Sequence, residues 1–122
     1  MRFKEDHMIA EFWSISPYLR RLLCEAEIFL HDAGEYDVVV TQLIRSDAEQ
    51  AELYKNKQTK SKVSVHQFGR GADIRLTAPI SIMEDLVDFL CKNYTYDPGR
   101  PGLSTAILHG GTAQHVHIQT AI

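Results

Sequence analysis

The apolar residues of this chain recur with two periods, one typical of amphipathic helices and one typical of half-buried strands. The longest helical stripe follows Ser16-Pro17, a serine N-cap with proline in the first turn, and runs to about residue 32, before Gly34. Capping-box spacing at Ser46 and again at Ser81 predicts two further helices, which end near residues 54 and 93. The pattern therefore predicts three helices interleaved with other elements.

Four segments have the composition or the alternation of strands: residues 36–44, 69–76, 103–109 and 115–120. Along the second of them, Asp73 falls on the face opposite the apolar side chains. The last two are joined through Gly110-Gly111-Thr112, which predicts a hairpin. We expect an α+β fold with helices on one face of a small, mainly antiparallel sheet. Residues 1–122 would form one domain, with residues 1–15 as an N-terminal arm anchored by Trp13.

Length and charge narrow the class of protein. A chain of 122 residues suits one domain, and a net charge of −3 argues against a nucleic-acid-binding protein that relies on a broad basic field. No stretch is apolar enough for a membrane span, and the N-terminus lacks the apolar core of a secretory signal. We therefore expect a protein made in the cytoplasm that acts as a monomer.

The lysine-rich loop at residues 55–63 is either a solvated loop or a steering patch for an anionic substrate. Cys24 and Cys91 should be buried free thiols.

The candidate chemistry lies in two short stretches that are distant in sequence. His66 and Asp73 are seven residues apart in a glycine-containing segment, and His115 and His117 project from the same face of a predicted strand. A His-x-His pair alone is more often an exposed polar face than a metal site. Together, the four side chains offer the nitrogen and oxygen donors of an open zinc site that keeps one position for water.

These stretches resemble a known group of enzymes. Ser64-x-His66-x-x-Gly69-x-Gly71-x-Asp73 is similar to the Ser-x-His-x-x-Gly-x-Ala-x-Asp signature of the zinc D-alanyl-D-alanine carboxypeptidases and L-alanyl-D-glutamate endopeptidases. The paired histidines resemble those of the wider group that also contains lysostaphin-type peptidases and the hedgehog signalling domain. The resemblance covers roughly residues 40–122.

The resemblance implies one Zn²⁺ per chain, with His66, Asp73 and His117 as ligands and a peptidoglycan stem peptide as substrate. It also implies that Arg45 holds a substrate carboxylate or polarises the scissile carbonyl, and that Ser64 bonds the substrate. Two alternatives stay open: Arg45 could form a surface salt bridge, and Ser64 could only fix the turn before His66. A cell-wall substrate would require release from the cytoplasm, as in a phage or prophage lysis protein.

The sequence departs from the family at the catalytic base. The Glu or Asp expected three residues before the last zinc ligand is Gln114, which cannot carry a proton. His115 and His109 are the remaining candidates, since imidazole titrates near neutral pH and the hairpin brings them together. Three functions therefore stay open: a zinc peptidase with a histidine base, a zinc-binding module without turnover that acts in binding or as a virion component, and a hydrolase of another small amide.

Overall fold

The computed structural model describes residues 1–110 and 114–122, and it has the predicted α+β architecture, with four α-helices and a five-stranded sheet in that part of the chain. In chain order the elements are β1 (Arg2–Phe3), α1 (Met8–Ser14), α2 (Pro17–Gly34), β2 (Val38–Gln42), α3 (Asp47–Lys55), a 3₁₀ turn (Val65–Phe68), β3 (Gly71–Leu76), α4 (Ile80–Asn93), β4 (Ala106–His109) and β5 (His115–Gln119).

The sheet has the spatial order β1-β2-β3-β5-β4 and is antiparallel except for the β1–β2 pair. Two neighbouring inner strands carry two of the three candidate ligands, because Asp73 on β3 lies directly opposite His117 on β5. On β4, His109 pairs with His115, as the predicted hairpin requires. Of the predicted hairpin connection, Gly111 and Thr112 lie outside the described residues.

The hydrophobic core lies between one face of this sheet and the helices α2 and α4. Ile74 and Val116 on the central strands are fully buried, as are Leu22 of α2 and Leu86 of α4. Alternation along each strand places the polar side chains on the opposite face. That second face is therefore available for a polar site, as the sequence pattern predicts.

Helix α3 has a different role from the other helices. Its capping box at Ser46 and Glu49 is present as predicted, but its only buried residue is Gln50, so it adds no side chain to the hydrophobic core. It lies instead beside the polar face of the sheet, where Gln50 contacts Arg45. The predicted loop at residues 55–63 follows this helix.

The predicted anchor of the N-terminal arm is wrong. Trp13 is 71% exposed, whereas Met8 and Ile15 are buried and Phe12 packs against Phe3 with ring centroids 5.6 Å apart. The arm also contributes a strand, β1, which no periodicity in so short a segment could indicate. Trp13 is exposed because the apolar face of the short helix α1 is formed by its neighbours.

The predicted burial of both thiols and the predicted cap of one helix are wrong. Cys24 and Cys91 are free as expected but exposed, because each lies next to the buried helical stripe rather than within it. Helix α4 begins at Ile80 with Pro79 as N-cap, so Ser81 lies inside the first turn and makes no cap hydrogen bond. In the described part of the chain, no helix is long and apolar enough to span a membrane.

Candidate metal centre

Three side chains that are distant in sequence meet on the polar face of the sheet. One potential ligand atom from each of His66, Asp73 and His117 lies within 4.8 Å of the other two. His66 is buried, and Asp73 and His117 are half-buried at the floor of a cleft. This group could hold a metal ion, since imidazole and carboxylate are common ligands of divalent transition metals.

A short 3₁₀ turn positions His66. Ser64 caps this turn by accepting a hydrogen bond from the His66 amide, and Gln67 reaches back to the Ser64 amide. The turn ends at Gly69, which has a left-handed backbone (φ 65°) that suits glycine. Ser64 therefore has the structural role left open above, and this residue also lines the cleft.

The turn is held by segments from both ends of the chain. The Gly69 carbonyl accepts from the Ser16 amide at 2.9 Å, and the neighbouring Arg70 carbonyl accepts from the Thr120 amide at 3.0 Å. The His66 carbonyl accepts from the Arg45 amide at 3.0 Å. The turn and the two residues after it are thus fixed by hydrogen bonds from three separate segments.

Asp73 lies between the two histidines. Its Oδ1 is 2.8 Å from His117 Nδ1, and its Oδ2 is 3.4 Å from His66 Nε2. Burial alone would raise the pKa of Asp73, but its hydrogen-bond and charge interactions with His117 and His66 outweigh burial and hold the pKa well below its usual range. The carboxylate is therefore ionised at neutral pH, as a metal ligand must be.

The far nitrogen of each imidazole is also engaged. His66 Nδ1 lies 2.9 Å from the Leu43 carbonyl, which can only accept, so Nδ1 carries the proton and Nε2 faces Asp73. His117 Nε2 lies 3.0 Å from Gln119 Oε1, which leaves Nδ1 on the side of Asp73. Outer hydrogen bonds of this kind orient metal-binding histidines, so the donor set fits a divalent cation.

Gly71 leaves space for the Val65 side chain and the His117 ring. A Cβ added there would lie 2.5 Å from Val65 Cγ2 and 3.3 Å from His117 Cε1. The zinc peptidase signature described above has alanine at this position. From the sequence alone, glycine is one small residue in place of another. In this chain the Val65 side chain occupies the volume that an alanine methyl would need.

Arg45 lies at the mouth of the cleft, held between two glutamines. Its Nη1 donates to Gln50 Oε1 and its Nη2 to Gln42 Oε1, each at 2.5 Å. Its Nε is buried without a hydrogen-bond partner among the described residues. Burial holds the pKa of Arg45 below its usual value, although the charges of Asp73 and Glu49 act in the opposite direction. The surface salt bridge that the sequence left open is not among the ion pairs of the described residues.

A β-bulge brings Gln42 into this arrangement. Val40 pairs with Ile74, but the next described pair joins Gln42 to Asp73, so β2 has one extra residue there. The bulge places Gln42 opposite Asp73 and beside the cleft. Gln50 provides the second contact and also donates to the Ser61 carbonyl at 2.7 Å, which ties the loop after α3 to Arg45.

The cleft above the three candidate ligands has a volume of about 670 Å³. The loop after α3 lines one side through Gln58, Thr59 and Ser61, and strand β4 lines another through Ile107. Asp73 is the only carboxylate among the described residues that line it. The carboxylate of Asp73 faces His66 and His117, and the other polar groups of the cleft include an arginine and further imidazoles. This composition favours an anionic or neutral polar ligand.

The two histidines proposed as bases lie on the same floor. His109 and His115 stack with ring centroids 4.9 Å apart, and His115 Nε2 is 3.9 Å from Asp73 Oδ1. Burial lowers the pKa of His109, and the neighbouring His115 and His117 lower it further. Gln114 is half-buried and is not among the described residues that line the cleft.

Sequence reasoning missed three glutamines at this site. Gln119 shares the alternation of His115 and His117 on β5, so the strand pattern could have pointed to it. Gln42 reaches the site only through the bulge, and Gln50 is a fully buried polar residue on an otherwise polar helix. For those two the sequence contains no local signal.

Comparison with known proteins does not identify a family: no protein-family model and no curated protein matches this chain. The resemblance to zinc peptidases therefore depends on the motif residues alone and stays a hypothesis.

Proposed function

We propose that this protein is a zinc-dependent peptidase that hydrolyses a peptidoglycan stem-peptide bond next to a D-amino acid, of the D-Ala-D-Ala carboxypeptidase or L-Ala-D-Glu endopeptidase type. The observation that carries the proposal is the convergence of His66, Asp73 and His117, with both outer imidazole nitrogens hydrogen-bonded, at the floor of an open cleft. The motif spacing and the mainly antiparallel sheet with its polar ligand face are in keeping with a hedgehog-like peptidase fold.

The arrangement of the three candidate ligands favours a cation between them. Asp73 faces His66 Nε2 and His117 Nδ1, and the other nitrogen of each ring is already committed as a donor. Without protons or a metal ion in the centre, lone pairs of the rings and of the carboxylate would face one another. A divalent cation removes this repulsion for all three residues at once.

In the proposed mechanism, a zinc ion bound there would supply a water of lowered pKa and polarise the scissile carbonyl. His66 would bind it through Nε2, His117 through Nδ1 and Asp73 through its carboxylate. The ligands leave the space above them open to the cleft, where a peptide can enter.

Arg45 is suited to orient the substrate. Two of its five N–H groups are used by Gln42 and Gln50, and its two terminal nitrogens keep one further N–H each. A guanidinium held in this way offers fixed charged donors to a carboxylate or carbonyl oxygen. The Ser64 hydroxyl accepts from the His66 amide and so keeps its own O–H as a donor for the substrate.

The histidine pair provides the proton transfer that Gln114 cannot. The depressed pKa of His109 keeps its imidazole neutral and able to accept a proton near neutral pH. His115 stands between His109 and Asp73 and can pass a proton across the floor of the cleft. In this scheme the proton taken from the attacking water is returned to the leaving amine by the same pair.

The test is zinc binding and cleavage with one purified protein. We expect one Zn²⁺ per chain and, in its presence, release of D-alanine or cleavage of a muropeptide, with both lost in His66→Ala and with a chelator. His31→Ala is the matched control, because His31 is exposed in the last turn of α2. Failure to bind zinc at micromolar concentration would overturn the proposal.

A second function is favoured by one observation. The expected carboxylate base is Gln114, and the described lining of the cleft contains no carboxylate other than Asp73. This fits a zinc-binding domain of the same fold that has lost turnover and acts in binding or as a virion component. A full complement of zinc together with intact muropeptides across a panel would select it.

A further inference from the structure

Gln119 links His117 to the backbone of the segment before β4. Its Oε1 lies 3.0 Å from His117 Nε2, and its Nε2 donates to the Ser104 carbonyl at 2.8 Å. A backbone carbonyl can only accept, so the NH₂ of the Gln119 amide must point to Ser104. The amide oxygen must then point to His117.

The orientation of this amide determines the tautomer of His117. Since Gln119 Oε1 can only accept, His117 Nε2 must carry a proton and donate it. Nδ1, which lies 2.8 Å from Asp73 Oδ1, is then the nitrogen that carries the lone pair in the neutral ring. This is the nitrogen that faces the other two candidate ligands.

Asp73 acts on the same ring in the opposite sense. An ionised carboxylate 2.8 Å from Nδ1 favours a proton on Nδ1, and a neutral imidazole that keeps its proton there cannot bind a metal through that atom. Without Gln119, the neutral ring of His117 would adopt the Nδ1–H tautomer and donate to Asp73.

We propose that Gln119 is a positioning residue for the metal centre, which holds His117 in the Nε2–H tautomer against the pull of Asp73 so that Nδ1 stays free to bind a divalent cation. The role rests on the metal site of the proposed function and not on peptidase turnover. Mutation of a side chain that hydrogen-bonds the outer nitrogen of a metal-binding histidine typically changes metal affinity about 10–100-fold.

Two variants distinguish the contact of Gln119 with His117 from its contact with Ser104. Gln119→Met keeps the length of the side chain and removes both the acceptor for His117 and the donor to Ser104, so zinc affinity in a chelator competition at pH 7 should fall about 10–100-fold. Gln119→Glu keeps an acceptor for His117 but cannot donate to Ser104, and it should stay within a few-fold of the parent protein. Gln58→Met, at an exposed position beside the same cleft, is the matched control.

Nitrogen NMR of the histidine rings reads the tautomer without zinc. In metal-free parent protein at pH 8, His117 should carry a hydrogen-bonded proton on Nε2, and in Gln119→Met the proton should move to Nδ1. A parent ring protonated only at Nδ1, or equal losses of affinity in the Met and Glu variants, would overturn the inference. If the parent binds no zinc, the proposed function fails, whereas the tautomer measurement still tests Gln119.

Discussion

Replacing Gly71 by alanine tests the packing around the candidate ligands. The backbone of Gly71 lies outside the left-handed region, so alanine can adopt it, and the cost of the substitution is steric. The new methyl group would lie 2.5 Å from Val65 Cγ2, well inside van der Waals contact, and 3.3 Å from His117 Cε1. Val65 is β-branched and stiff at χ1, so it cannot simply rotate away.

The expected magnitude follows from two opposing effects. Inserting a methyl group into a filled space costs about 1–3 kcal/mol. Alanine also restricts the unfolded chain, which returns about 0.4–1 kcal/mol. The midpoints of the two ranges leave a net loss of unfolding free energy of about 1.3 kcal/mol, which for a domain of this size lowers the melting temperature by several degrees. Because His117 must also shift, zinc affinity should fall.

Urea denaturation of the metal-free protein measures the first effect, and chelator competition measures the second. Gly102→Ala is the matched control, since a Cβ there meets nothing within 4 Å. Val65→Ala in the Gly71→Ala background should recover part of the loss, which gives a favourable coupling of roughly 1 kcal/mol in a double-mutant cycle. A Gly71→Ala protein as stable as the parent, or a cycle with no coupling, would refute the packing argument.

Three further predictions concern charge, capping and the buried amide. The depressed pKa of Asp73 contributes stability that is present above the ordinary aspartate pKa of about 3.9 and is lost as the pH falls below that value. Metal-free Asp73→Asn lacks this contribution. Its free energy of unfolding, measured by urea denaturation, should therefore fall less between pH 5 and pH 3 than that of the parent protein. Ser46→Ala removes a capping box and should cost about 1 kcal/mol by thermal denaturation, whereas Ser81→Ala, which removes no cap, should cost less than about 0.5 kcal/mol. Gln50→Leu breaks two half-buried hydrogen bonds made by a buried amide and should cost about 1–3 kcal/mol by urea denaturation, while Glu52→Leu on the exposed side of the same helix should be nearly neutral.

The parts of this structure that follow from local periodicity were predictable. Alternation along β3 and β5 correctly placed Asp73 and His117 on the face away from the core, and the capping residues correctly located the starts of α2 and α3. The meeting of His66 with these two residues was predicted only as a consequence of the motif. Its distances depend on strand register, which sequence alone does not determine.

The features that escaped prediction depend on long-range packing. A bulge adds one residue to β2 and so changes which side chains face the cleft. No residue type between Val40 and Gln42 indicates a bulge in the sequence. Trp13 was expected to be buried because of its size, but in a helix of seven residues the neighbours decide which side is covered. For the same reason Gln50, a polar residue on a polar helix, became the best-buried member of α3.

The hydrogen bonds around the 3₁₀ turn have a consequence for protein engineering. The Ser16 and Thr120 amides donate to the turn and to the residue after it from opposite ends of the chain, and the Leu43 carbonyl accepts a hydrogen bond from the His66 ring. Residues 64–73 therefore do not carry the site by themselves: grafted onto another scaffold, they would keep His66 and Asp73 but lose the two amide donors and the carbonyl acceptor that orient the turn and the His66 ring. A transplant that works must import the flanking strands as well, which is nearly the whole protein.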